Sequence, residues 1–140
     1  MVKIIPIKNA IELEQAFAIR REVFVEEQQV DPSEEYEFEE ESVHFLALDD
    51  NKPVGTARWR KTDNGIKLER FAVLASHRRS GVGRELLKAV LGDALKENPA
   101  LLYLHAQIQV VPFYEKEGFV TTGGEFMEAN IRHMKMIYKR

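Results

Sequence analysis

Apolar and polar positions along the chain change period several times, and each change marks an element. Residues 2–7 alternate as a half-buried strand does, with Pro6 ending its ladder early. Asn9 stands where a helix N-cap is expected, with Glu12 at the third helical position as in a capping box. Leu13, Phe17, Arg20 and Phe24 follow at helical spacing, so one mostly apolar face should pack on a sheet. The helical pattern fades near Gln28-Gln29, before Asp31-Pro32 imposes an extended conformation. Val43 to Leu48 reads as a second strand and Asp49 to Lys52 as a polar turn. Pro53 to Arg60 is the third strand, with Val54, Thr56, Arg58 and Arg60 on one side, and Asn64-Gly65 signals a hairpin into a fourth strand from Ile66. These three strands are expected to be consecutive antiparallel neighbours.

The apolar strand continues to Leu74 and runs into a basic, glycine-containing turn. The helix that opens near Gly81 places Val82, Leu86, Val90 and Ala94 on one face, with Leu87 and Leu91 beside them, and stops before Asn98-Pro99. Leu101 to Ala106 is a short buried strand. A strand–helix–strand connection implies a parallel crossover, so strands four and five should lie side by side. Pro112 suits the first turn of a short helix and Gly118 its C-terminal end. Phe119 starts another strand, Gly123-Gly124 should break it, and Arg132 to Tyr138 closes the sheet. The reading is a mixed α/β sheet, mostly antiparallel, in one domain over residues 1–140.

Composition narrows the function classes. With 44% hydrophobic and 31% charged residues the chain reads as globular and soluble. Cysteine is absent, which removes disulfides, thiolate nucleophiles and Cys-based zinc sites. The four histidines lack ligand-like spacing, so no metal is expected. Met1 to Pro6 is too short for a signal peptide and no apolar run would span a bilayer, so cytoplasm is the expected compartment, without membrane association. A net charge of −3 argues against general nucleic-acid binding. The charge is uneven: residues 34–41 are strongly acidic, while His77 to Arg84 is basic.

The basic turn is the first candidate for chemistry. Backbone N–H groups converging at a helix N-terminus make a site for phosphate. Arg78, Arg79 and Arg84 add charge where a pyrophosphate would sit, and Gly81 and Gly83 remove Cβ atoms that would hold it off the backbone. A P-loop would need Lys-Ser/Thr where Arg84-Glu85 stands, and a dinucleotide fingerprint would need a third glycine where Leu86 stands. Arg78-x-x-Gly81-x-Gly83 instead resembles the acyl-CoA pyrophosphate loop of the GNAT superfamily of N-acetyltransferases. Val111-Pro112-Phe113-Tyr114-Glu115-Lys116-Glu117-Gly118-Phe119 resembles that superfamily's "YEKxGF" element. Phe24 to Gln29, His44 to Ala47, Gly55 to Arg58 and Ile131 to Met134 are similar to its small bacterial ElaA/YjcF-like branch.

The resemblance implies a fold in which a bulge in strand four splays it from strand five. It also implies acetyl-CoA as co-substrate. The pantetheine arm would lie along Phe71, Ala72 and Val73, and the pyrophosphate against Arg78, Arg79, Ser80, Gly81, Val82, Gly83 and Arg84. Phe113 and Tyr114 would border the cofactor, with Tyr114 protonating the departing thiolate. Gln107 stands where many members carry an asparagine that touches the cofactor. Glu69 is the leading general-base candidate, against the reading of an exposed glutamate paired with Arg58 or Lys67; His44 and His133 follow it. Phe24, Glu27, Gln28, His44, Arg58 and His133 would border the acceptor. The implied activity is direct transfer of an acetyl group to a primary amine of a small molecule or peptide, by a monomer or a homodimer. The alternative is an acyl-CoA-binding sensor without turnover. A lip of Glu34, Glu35, Glu37, Glu39, Glu40 and Glu41 at the acceptor site would favour a cationic acceptor, against the reading of a merely solvated face.

Overall fold

The computed structural model describes residues 1–139, with Glu34 described by its backbone alone. These residues form strands β1 (Val2–Pro6), β2 (Ser42–Asp49), β3 (Lys52–Thr62), β4 (Gly65–Val73), β5 (Leu102–Gln107), β6 (Phe119–Glu128) and β7 (Ile131–Tyr138). They join in one sheet of order β1-β2-β3-β4-β5-β7-β6, in which β4 and β5 are parallel and the other neighbours antiparallel. The helices are α1 (Ala10–Arg20), α2 (Pro32–Glu35), α3 (Val82–Leu95) and α4 (Val111–Lys116). No helix among the described residues is long and apolar enough to cross a membrane.

Local chemistry sets most element ends. The Asn9 side chain accepts from the Glu12 N–H at 2.8 Å, and the Glu12 carboxylate reaches back to the Lys8 N–H at 2.8 Å, one residue beyond a standard capping box. Past Arg20 the helix widens into π-helical turns over Arg21–Glu27 and ends at Gln28, where the helical pattern fades, with Gln28 N–H bonding five residues back to Val23. Asp31 caps α2 through the Ser33 N–H.

Two apolar layers hold the sheet. Val82, Leu86, Leu87, Val90 and Ala94 of α3 pack against one face, over Trp59, Leu68, Leu104, Phe119 and Met136. Burying each such Leu or Val side chain is worth about 1.5–3 kcal/mol. Ala16, Ile19 and Val23 pack on the other face over Leu46 and Ala72.

Three expectations need correcting. Val54 does not share a side with Arg58 and Arg60. The β2/β3 register shifts at Ala47/Leu48, and Val54 turns under α3 with Ala57 and Trp59. Thr62 pairs with Gly65, so the hairpin tip is Asp63-Asn64; Gly65, at φ +145, approaches Leu101 so closely that a Cβ would lie 2.3 Å from its carbonyl oxygen. Gly123-Gly124 does not end β6 but bulges, with the register shifting between Thr122 and Phe126.

Candidate active site

The parallel pair separates early. β4 and β5 match only at Ile66↔Leu102, Lys67↔Tyr103 and Leu68↔Leu104. There β4 carries one more residue than β3, since Arg58 matches Glu69 but Thr56 matches Ala72. The extra residue is accommodated by Arg70 at φ +59, uncommon for a side chain with a Cβ. Ala72 and Val73 remain paired with β3, while Phe71 to Val73 have no β5 partner. A strand edge therefore stands open inside the sheet, with backbone groups that need partners.

That edge leads directly into the basic turn. A 3₁₀ turn at Ala75–His77 is followed by Arg79 at φ +66 and Gly81 at φ +88, and α3 begins at Val82. The two glycines serve different purposes. Gly81 meets a backbone requirement, while a Cβ on Gly83 would lie 3.8 Å from the Phe113 ring and 4.0 Å from Val73, so Gly83 keeps the approach to α3 clear. Val82 is fully buried in the core, leaving only its backbone for a ligand. Ser80 donates its hydroxyl to the His77 carbonyl. Arg84 pairs with Glu117 at 2.9 Å, and Arg79 has no hydrogen-bond or ion-pair partner among the described residues. Arg78 donates to the Val73 carbonyl at 3.0 Å and grips Glu27 with both terminal nitrogens at 2.9 and 2.8 Å.

Tyr114 sits at the base of the opening. Its ring is edge-on to Phe71, Phe113 and Phe119, at centroid distances of 6.0, 5.1 and 5.8 Å. Burial pushes its phenol above the ordinary range, so it stays protonated at neutral pH, and its hydroxyl has no partner among the described residues. At the end of β5, Gln107 donates to Gln28 at 2.9 Å, tying the π-helical segment to the far lip.

The opposite face of the sheet is built from charged side chains. Glu69 is neither exposed nor free. One of its carboxylate oxygens accepts from Arg58 at 3.0 and 2.7 Å and from Arg60 at 2.5 Å, and the other lies 3.3 Å from Lys67. Burial alone would raise its pKa, but Arg58, Lys67, Arg60 and Arg70 outweigh burial and bring it to about 2. Arg58, wholly buried, also bonds Glu39 at 2.7 Å and the Glu37 carbonyl at 2.8 Å. Arg20 binds Glu35 at 2.7 Å and both oxygens of Glu39 at 2.8 Å.

The acidic segment is therefore not a solvated lip. Glu35 and Glu39 turn inward on Arg20 and Arg58, and Glu37 reaches Arg70 at 3.5 Å. Glu40 and Glu41 are exposed, and the side chain of Glu34 lies outside the described residues. Phe24 packs on the apolar layer beneath α1. His44 donates Nε2–H to the Glu39 carbonyl at 2.9 Å, and burial lowers its pKa, so it belongs to the cluster as a neutral ring. His133 lies on β7 opposite Gln107. Its Nδ1 bonds the Ile131 carbonyl at 2.7 Å; a carbonyl only accepts, so Nδ1 carries the proton. Its Nε2 is 3.7 Å from Glu128, which also accepts from His105 at 3.0 Å.

Glu128, His105, Arg20 and Arg60 had not been singled out for this site. The available signal was the charged alternation Arg58, Arg60 facing Lys67, Glu69 across one hairpin.

The fold has known counterparts. Residues 8–140 match the family model of the acetyltransferase (GNAT) domain. An uncharacterized N-acetyltransferase of Bacillus subtilis, YjcF, is 45% identical, covering 97% of this chain and 99% of its own. Escherichia coli ElaA superposes with a TM-score of 0.88 at 23% identity, over 99% of this chain and 100% of its own. A Bacillus anthracis acetyltransferase solved in complex with acetyl coenzyme A superposes with a TM-score of 0.60 at 24% identity, over 74% of this chain and 65% of its own. Matched over nearly its whole length, the chain belongs to the GNAT acetyltransferase family.

Proposed function

We propose that this acyl-CoA-dependent acetyltransferase moves an acetyl group directly from acetyl-CoA to a primary amine of a small molecule. The observation that carries the reading is the open edge of β4 at Phe71 to Val73, continuous with the glycine turn that opens α3. These residues fit the group. The open backbone suits the amide-rich arm of CoA as an added strand. Arg78, Arg79, Arg84 and the N–H groups at the start of α3 suit its pyrophosphate, and Gly83 leaves the approach unfilled. Acetyl-CoA, when bound, supplies an activated acyl group.

The chain's own residues then divide the proton work. Tyr114, protonated and without a hydroxyl partner, is the donor for the departing sulfur. Glu69 does not suit the base. A carboxylate whose pKa Arg58, Lys67, Arg60 and Arg70 together bring to about 2 has little affinity for a proton at neutral pH. We assign the amine proton to Nε2 of His133, whose other nitrogen is committed to Ile131 and which lies 3.7 Å from the Glu128 carboxylate. Glu69 orients Arg58, Arg60 and Lys67.

A panel of primary amines, with free thiol as the readout of CoA release, tests the reading. Amine-dependent thiol release above slow hydrolysis is the expected result. CoA that binds tightly while no amine accelerates its release would favour a sensor without turnover.

A further inference from the structure

We infer that the acceptor carries an anionic group, a carboxylate or a phosphate ester, and that Arg60, Lys67 and Lys135 form its site. The inference rests on the acetyl-transfer reading and replaces the cationic acceptor that the acidic segment implied.

The three residues lie on one face of the sheet. Trp59, Leu68, Leu104 and Met136 turn under α3, so their neighbours Arg60, Lys67, Tyr103 and Lys135 turn the other way. Arg60 is opposite Lys67 across β3 and β4, and Lys67 is opposite Tyr103 across β4 and β5. The Lys135 ammonium stands 5.0 Å over the Tyr103 ring, and the Tyr103 hydroxyl is fixed by Thr62 at 2.8 Å. The strip is thus contiguous across four strands.

Its cations have fewer anions than they need. Arg58, Arg60 and Lys67 converge on the single carboxylate of Glu69, and only Arg58 has a second carboxylate, Glu39, in direct contact. Lys67 is also close enough to Glu128 to lower its pKa. Arg60 engages Glu69 through Nε alone, and its two terminal nitrogens have no hydrogen-bond partner among the described residues, although its side chain is only 13% exposed. Lys135 pairs with no carboxylate among the described residues. Elsewhere in the cluster, all three guanidinium nitrogens of Arg20 donate to Glu35 or Glu39.

The Arg60 guanidinium is also held in place. Phe38 adopts φ +57, in the left-handed region uncommon for a bulky residue, and lays its ring 4.0 Å from the guanidinium carbon. A planar fork, clamped on one face and with free in-plane donors, matches the two oxygens of a carboxylate or phosphate. The polyamine alternative fares badly here, because a second ammonium would meet three like charges.

The span is chemically sensible. Arg60 and Lys67 deliver their charged ends beside Glu69, two residues before Phe71 where the open edge begins. Two residues of regular strand would span about 7 Å and the Arg70 bulge shortens this, so the reach suits an amine separated from its anionic group by about three carbons.

Four acceptors that share an aminopropyl group separate the possibilities: 3-aminopropyl phosphate, 4-aminobutanoate, 3-aminopropan-1-ol and 1,3-diaminopropane. With acetyl-CoA saturating, kcat/KM for at least one anionic acceptor should exceed that of the alcohol by about tenfold, the yield of one charge-assisted hydrogen bond, and the diamine should be poorest. Phosphate against carboxylate ranks the two anions. Arg60→Gln should bring the anion-to-alcohol ratio close to one. Lys135→Gln, which removes no ion pair and so leaves the fold intact, should lower the ratio too. Propyl phosphate titrated calorimetrically into CoA-saturated protein, whose pyrophosphate turn is then filled, should bind saturably and lose that binding in Arg60→Gln. An alcohol or diamine used as well as the anions overturns the anion site while acetyl transfer stands. If none of the four is acetylated, propyl phosphate decides: no saturable binding overturns the site. Failure of CoA itself to bind would instead sink the acetyl-transfer reading.

Discussion

The two faces of the opening are made from different materials. On the cofactor side the working groups are backbone: an unpaired strand edge and the first N–H groups of α3, with arginines around them. On the proposed acceptor side they are side chains: a buried ion cluster from α1, the α2 region, β3 and β4, with β5 and β7 beside it. A backbone site is specified by a short stretch of sequence, because a bulge and two glycines suffice. A side-chain cluster needs residues distant in sequence to converge, and its net charge depends on which pairs form. A backbone site therefore suits the co-substrate common to a family, and a side-chain cluster the acceptor that varies among members.

The largest expected effect would break the acceptor side. Glu69→Gln leaves Arg58, Arg60 and Lys67 without their shared anion and should cost about 3–5 kcal/mol of stability, read by denaturant unfolding. The same group sets a pH window. Its folded pKa of about 2 lies below its ordinary value of 4.5, so the stabilisation is full above pH 4.5 and is lost as pH falls toward 2. That gap corresponds to about 3 kcal/mol. Any acidic limb of the pH–rate profile near neutrality should survive in Glu69→Gln, since it belongs to another group. Its disappearance would restore Glu69 as the base.

Tyr114→Phe probes the cofactor side more gently. It keeps the ring contacts with Phe71, Phe113 and Phe119 and removes a hydroxyl without a protein partner. Stability should therefore change by less than about 0.5 kcal/mol, while kcat falls by about 10²-fold with CoA affinity unchanged. An unchanged kcat, with acetyl transfer rate-limiting, would reduce Tyr114 to packing.

The smallest effect concerns the contact that joins the two sides. Glu27 engages both terminal nitrogens of Arg78, donors that a pyrophosphate would otherwise take. Glu27→Gln should release that arginine and tighten CoA binding by about threefold, the scale of a half-exposed ion pair. Weaker binding would mean that Glu27 positions Arg78 rather than competing for it.

Legibility in the sequence followed the same division. The Asn9 cap, the apolar stripe of α3, Pro112 in α4 and the turn at Arg78 to Arg84 rest on neighbours in sequence, and each lay where its residues indicated. The splay came from resemblance, because the Arg70 bulge has no glycine or proline to announce it. The side of Val54 was misread because a register shift is a property of two strands. The acidic run read as solvent-facing because a string of glutamates does not say that Arg20 and Arg58 lie beneath it.

Amide hydrogen exchange with and without acetyl-CoA tests the central claim most directly. The account predicts new protection at Phe71 to Val73 and at residues 79–84, with little change at the Arg60–Lys67–Lys135 strip. Gly83→Glu should abolish that protection while remaining folded, since its Cβ has room at 3.8 Å and its carboxylate would face the pyrophosphate. Protection that appears elsewhere, or that persists undiminished in Gly83→Glu, would contradict the assignment of the open β4 edge as the cofactor site.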